Sequence, residues 1–194
     1  MTRAIFVLKA QKDYPEHDIK KGDSYYWWKF RFGGKHYSKT PPKPSQLTQS
    51  GFKQSLYDIE ERIRGVTVDD DLEAFIEDMK GELESLRDEC QSSLDNMPEH
   101  LQESSSSGEM LTNRVESLDS MIDEFGSIDA TDTDVDEDDI KETTKEENPQ
   151  NEGESDEDYS ARIEELATEI IEEETNNRKE EILGSIQDIC YNGD

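Results

Sequence analysis

The residues of this chain best suited to ligand chemistry crowd into one stretch, Ser24-Tyr-Tyr-Trp-Trp-Lys-Phe-Arg-Phe-Gly-Gly-Lys-His-Tyr-Ser-Lys-Thr40. Two adjacent glycines between strand-forming runs predict a β-hairpin with a two-residue primed turn at Gly33-Gly34. In that register Phe32 opposes Lys35, Arg31 opposes His36 and Phe30 opposes Tyr37. Side chains alternate across a strand, so one face would hold Tyr26, Trp28, Phe30, Phe32 and Tyr37 as its core side. The other would hold Tyr25, Trp27, Lys29, Arg31, His36 and Ser38, rings mixed with cations on an open surface. Rings stack on bases and Lys or Arg neutralises phosphate. Tyr25, Trp27, Lys29, Arg31, His36 and Lys39 are therefore the candidate nucleic-acid-binding residues. A plain basic solvent face with one packed tryptophan would give the same pattern, and no RNP-type motif is present.

The elements that must position these residues are short. Arg3-Ala-Ile-Phe-Val-Leu-Lys9 is an apolar run of strand formers. Asp13–Asp23 reads as a polar loop punctuated by Pro15 and Gly22. After the hairpin, Pro41-Pro-Lys-Pro44 breaks the chain. Phe52, Leu56, Ile59 and Ile63 then recur at helical spacing up to Gly65. The expected fold class is α+β: a small N-terminal three-stranded antiparallel sheet plus helix over residues 1–66, followed by acidic helices. At this size the module lies near the lower limit for independent folding.

The run GDSYYWWKFRFGGKHYSKT resembles the three-stranded arm-type DNA-binding module at the start of tyrosine recombinases, over residues 1–64. That resemblance implies a sheet entering a DNA groove, with the role carried by Trp27, Lys29, Arg31 and Lys39. It stops there, because no catalytic domain with an Arg/His/Tyr constellation follows. The chain as a whole also resembles small proteins of phages and mobile elements.

Other chemistry is poorly supported. The three histidines (His17, His36, His100) are scattered, and no nucleophile motif, HExxH, phosphate loop or dinucleotide glycine pattern occurs. Neither an enzyme nor a bound cofactor is expected. Cys90 and Cys190 stand too far apart to suggest a zinc site or a disulfide framework. Both fall on apolar helix positions, where a buried inert thiol is expected. Asp132, Asp134, Asp136 and Asp138 imitate a calcium loop. An EF-hand beginning at Asp132 would need glycine where Glu137 stands and glutamate where Thr143 stands, and a start at Asp134 meets Asp139 and Lys145 there. No specific metal site is expected.

Charge divides the chain. Of its 194 residues, 50 are acidic and 21 basic, giving −29, and 30% are hydrophobic. Residues 1–55 carry eleven Lys/Arg against four Asp/Glu, and residues 56–194 carry ten against forty-six. In the acidic part, Leu72, Ile76, Met79, Leu83, Leu86, Cys90 and Met97 follow a heptad, with Ser93 its polar member. Leu111, Val115, Leu118, Ile122 and Phe125 mark a second helix, with Gln102–Gly108 as a flexible turn. The pair predicts an antiparallel helical hairpin over residues 67–125, a homodimeric coiled coil through residues 70–97 being the alternative. Residues 126–159 read as a disordered acidic linker. Residues 160–194 read as a final amphipathic helix on Ile163, Leu166, Ile170, Ile182, Ile186 and Ile189, weakened or kinked at Asn176-Asn177.

No apolar run reaches the ~20 residues that span a bilayer, and the N-terminus lacks the pattern of a secretory signal, so a cytoplasmic protein is expected. Three non-enzymatic readings follow. In the first, a basic-aromatic sheet recognises nucleic acid or a partner while acidic helices modulate or autoinhibit it. Alternatively, the acidic part is a DNA mimic that inhibits a basic nucleic-acid-binding protein such as a host enzyme or defence system. The third reading is a helical oligomerising adaptor. Residues 152–181 carry thirteen acids and three bases. At the helical rise this is one net charge per ~4.5 Å, against ~1.7 Å for duplex DNA. One helix is too dilute to copy a duplex.

Overall fold

The computed structural model describes residues 2–131, 133 and 135–193, and the chain forms two units, Met1–Arg62 and Ile63–Asp194. The fold is α+β, with a three-stranded antiparallel sheet at the N-terminus followed by helices.

In the first unit, β2 (Tyr25–Lys29) is central, flanked by β1 (Ile5–Val7) and β3 (Lys35–Ser38). Ile5 pairs with Trp27 and Val7 with Tyr25; on the other side Trp27 pairs with Tyr37, Trp28 with His36 and Lys29 with Lys35. This register departs from the expected one by three residues. Phe30–Gly34 forms the connection in place of a tight Gly-Gly turn, and of the two glycines only Gly33 has a left-handed φ, 149°. An odd shift turns β3 over relative to β2. Tyr37 thereby joins Tyr25 and Trp27, and His36 moves to the face of Tyr26 and Trp28.

Ring packing explains the choice. Tyr37 lies 4.9 Å from Tyr14, 4.9 Å from His17 and 6.0 Å from Tyr25, while His36 stacks on Trp28 at 5.5 Å. Lengthening the loop from two residues to five costs roughly 0.8 kcal/mol of closure entropy. Each well-placed ring pair returns about 0.5–1.5 kcal/mol, so the longer loop prevails. The expected core face is corrected in part: Trp28 is buried as expected, but Tyr25 is buried too, among Ala10 and Ile19, and Phe32 is 75% exposed. The polar-looking loop before β2 supplies Ile19, one of the most deeply buried side chains. Reciprocal backbone bonds between Tyr14 and Ile19 hold it (2.7 and 3.2 Å). A helix α1 (Gly51–Gly65) follows, with Leu56, Ile59 and Ile63 buried on one stripe.

In the second unit, α2 (Leu72–Asp95) folds back antiparallel on α4 (Ser106–Gly126) through a short helix α3 (Glu99–Ser104). Leu72, Ile76, Met79, Leu83, Leu86 and Cys90 are all buried, and Arg87 Nη1 reaches Asp119 Oδ1 across the pair at 3.6 Å. The seam that a dimer through residues 70–97 would use is thus the one α4 covers. On α4 the buried positions are Gly108, Arg114, Leu118, Met121 and Phe125, with Leu111, Val115 and Ile122 only half-buried. The stripe is rotated from the expected one because the buried Arg114 is a seam member that a count of apolar residues overlooks. The expected flexible turn at Gln102–Gly108 is helical on both sides of Ser105. Ser105 caps α4 by accepting from Gly108 N at 3.0 Å.

The linker expectation is corrected as well. Within residues 126–159 lies α5 (Glu137–Glu147), packed on α6 (Asp156–Asp188) with Thr144 buried. Asp136 and Ser155 cap these helices by accepting from Asp139 N and Asp158 N, both at 3.1 Å. Each helix opens with three acidic residues in its first turn, where carboxylates favour the positive end of the dipole. In α5 the cap and first-turn acids act with little apolar surface, whereas α6 also buries Ile163, Ala167, Ile182 and Ile186. Helix α6 runs unbroken through Asn176-Asn177. In the calcium-like run, Asp132 and Asp134 lie outside the described residues. Among the described residues no cluster of three or more His, Cys, Asp or Glu side chains is arranged to hold a metal ion, and no helix is long and apolar enough to cross a membrane.

Candidate nucleic-acid interface

The register sorts the six candidate residues into different places. Tyr25, Trp27 and Lys29 share one sheet face, Tyr25 being buried and Trp27 half-buried. Burial raises the Tyr25 phenol above its ordinary pKa, so this side chain is core and not contact surface. His36 is on the opposite face, stacked on the buried Trp28. Arg31 lies in the connecting loop, its guanidinium 5.3 Å from the centre of the Phe32 ring. Lys39 stands beyond the far end of β3 and is engaged: its ammonium is 2.8 Å from Asp18 and 4.0 Å from Asp23. The Asp18 hydrogen bond raises the Lys39 pKa, and the same bond lowers that of Asp18. With its charge answered internally, Lys39 has a weaker claim to a phosphate than Lys29 or Arg31.

What the fold brings together is the turn end of the hairpin. Lys29 and Lys35 are directly opposite in the ladder. The Lys35 ammonium lies 4.6 Å from the centre of the Trp27 ring. Arg31 and the exposed Phe32 project from the loop just beyond. The base of that loop is tied down, since Thr2 Oγ1 donates to Lys29 O at 3.0 Å and Gln49 Nε2 to Phe32 O at 3.2 Å. Three cations and two rings thus share one held corner. Like charges directly opposite on a sheet destabilise it by a few tenths of a kcal/mol to about 1 kcal/mol. A bound anion between Lys29 and Lys35 would relieve that repulsion, and rings beside it would stack on a planar group.

Sequence reasoning overlooked Lys35 and Phe32. The signal for Lys35 was the register, which the glycine pair misdirected; Phe32 was assigned to the core by alternation although it abuts those glycines. In the second unit, a cleft of about 570 Å³ lies between the end of α4 and α6, bordered by Glu124, Asp129, Arg178, Glu181 and Asp188. Its walls mix these carboxylates with Ile128, Ile182 and Ile189, unlike the hairpin corner. Compared with known proteins, the chain matches no family model, no curated protein and no solved structure.

Proposed function

We propose that this chain is a non-enzymatic interaction protein whose N-terminal basic-aromatic sheet recognises nucleic acid, and whose acidic helices weaken that binding by competing for the same cations. The observation that carries the reading is the opposed Lys29–Lys35 pair beside Trp27, Arg31 and Phe32. Charge segregation supports the second half. Met1–Arg62 holds twelve Lys/Arg and seven Asp/Glu, whereas Ile63–Asp194 holds nine and forty-three.

The test uses residues 1–66, first checked for folding by dispersed amide resonances, and labelled single- and double-stranded DNA. Affinity is expected to fall steeply as salt rises. Replacing Lys29, Arg31 and Lys35 together by alanine should flatten the log–log slope by roughly 2–3, at 0.7–0.9 per lost phosphate contact. Absence of binding at about 50 mM salt would refute recognition by the sheet.

One observation favours a second reading, an acidic mimic that occupies the nucleic-acid site of a basic protein. The forty-three acids of the second unit are carried largely on ordered helices, α5 and α6 among them packed side by side. Paired helices roughly double the charge density of one. Under this reading, lysate capture recovers a basic nucleic-acid enzyme, and capture requires residues 67–194. Capture by residues 1–66 alone would contradict it.

A further inference from the structure

We infer that the outer edge of β1 is a docking edge for an extended peptide of a partner protein, with apolar side chains at its centre and acidic residues at both ends. The sheet order places β1 at an edge, with no strand beyond it among the described residues. Ile5, Phe6 and Leu8 are 47%, 52% and 69% exposed. Ile5 shares the Trp27 face and Phe6 the opposite one, against Tyr26 at 4.9 Å. An added strand would therefore find apolar contact on both of its faces. The other edge is different: β3 presents Lys35, His36, Tyr37 and Ser38, with none of the exposed large apolar side chains that β1 offers.

The β1 edge is also held ready. At one end Thr2 N donates to Leu47 O at 2.9 Å and Thr2 Oγ1 to Lys29 O at 3.0 Å. At the other, Ala10 N donates to Asp23 O at 2.8 Å and Ala10 O accepts from Gly22 N at 2.9 Å. A strand pinned at both ends has little ordering entropy left to lose when another strand pairs with it.

Charge selects the occupant. The exposed apolar residues are bracketed by Arg3 and Lys9, both exposed. A second copy pairing antiparallel about Phe6 sets Arg3 opposite Lys9 twice, and in-register parallel pairing sets each against itself. Both arrangements place like charges directly opposite. A strand with Asp or Glu at its ends answers both cations. The edge adjoins the hairpin corner, since Ile5 pairs with Trp27 and Thr2 Oγ1 donates to Lys29 O, but the inference does not depend on nucleic-acid recognition.

The experiment titrates the full chain with a synthetic peptide of alternating Val and Thr bearing Asp and Glu at its ends. Salt is kept at about 0.15 M so that the distant charges of the acidic unit are screened. Binding is followed by amide chemical shifts and by fluorescence anisotropy. Shifts are expected to centre on Arg3–Lys9. N-methylation of alternate peptide nitrogens should weaken binding about tenfold through lost main-chain bonds. The double variant Arg3→Glu with Lys9→Glu, altered only at exposed side chains, should prefer a Lys-ended peptide to the acidic one. No binding of the acidic-ended peptide would overturn the inference. So would insensitivity to N-methylation or to the charge exchange. Dimerisation of the chain with protection of the β1 amides would overturn it in favour of a second copy as occupant.

Discussion

Gly108 occupies a place where no side chain fits. A Cβ there would meet Gln102 O at 2.1 Å and Leu101 O at 2.6 Å, backbone atoms that cannot turn aside. Gly108→Ala must therefore separate α3 from α4, and is expected to destabilise the second unit by about 1–3 kcal/mol, read as a lower urea midpoint. In sequence this glycine sat at the end of a serine run and looked like flexible-turn punctuation, because close approach of two backbones leaves no local trace. Glu154 illustrates the same point for charge. Arg162 grips both its carboxylate oxygens, Nε at 2.9 Å and Nη2 at 3.0 Å, and Asn151 N donates at 2.9 Å. The Arg162 hydrogen bonds, followed by that from Asn151, hold the carboxyl down to about 2 from an ordinary 4.5. Because the folded value is the depressed one, the contribution is full above about pH 4.5 and is lost as pH falls toward about 2. Glu154→Gln should therefore be less stable than the natural chain at pH 6, with the difference shrinking steadily below pH 4.5 and vanishing near pH 2. A difference that stays constant across denaturation curves in that range would exclude the clamp as its source.

At the scale of elements, legibility followed the strength of the period. The α2 seam was readable because its residues recur every three or four positions, and from Leu72 to Cys90 they are buried in the pair with α4. Leu83 is fully buried, so Leu83→Ala should cost about 2–5 kcal/mol in chemical denaturation. On α4 the same reading slipped by a position, since Arg114 lies on the buried stripe as a charged residue. The hairpin was visible as an element while its register was not: the glycines mark a turn, but ring contacts with Tyr14 and His17, supplied by a distant loop, decide where the ladder closes. Helix α5 was hidden because its stability comes from an Asp136 cap and from packing on α6, neither of which raises local hydropathy. The register has a testable corollary. Since Lys29 and Lys35 oppose each other, Lys29→Thr removes a repulsion and should raise thermal stability by up to about 1 kcal/mol, while weakening any nucleic-acid binding. A variant that lost stability and kept affinity would show that the pair is structural.

For the whole molecule the relevant quantity is the contrast between the units, since a net −29 describes neither. Under the proposed function, a ligand phosphate and the acids of Ile63–Asp194 would be rival counter-ions for Lys29, Arg31 and Lys35. Competition of this kind has a signature in salt. For residues 1–66 alone, the slope of log affinity against log salt counts the phosphates neutralised. In the full chain salt weakens the ligand contact and the internal rival together, so the two effects oppose and the slope becomes shallower. The full chain should accordingly bind DNA more weakly than residues 1–66 at about 50 mM salt, and the two titrations should converge as salt rises toward about 0.2 M. Parallel lines, offset equally at every salt concentration, would mean that the acidic unit hinders access by bulk and not by charge. Coincident lines would remove any modulatory role and leave the acidic helices to a partner of their own.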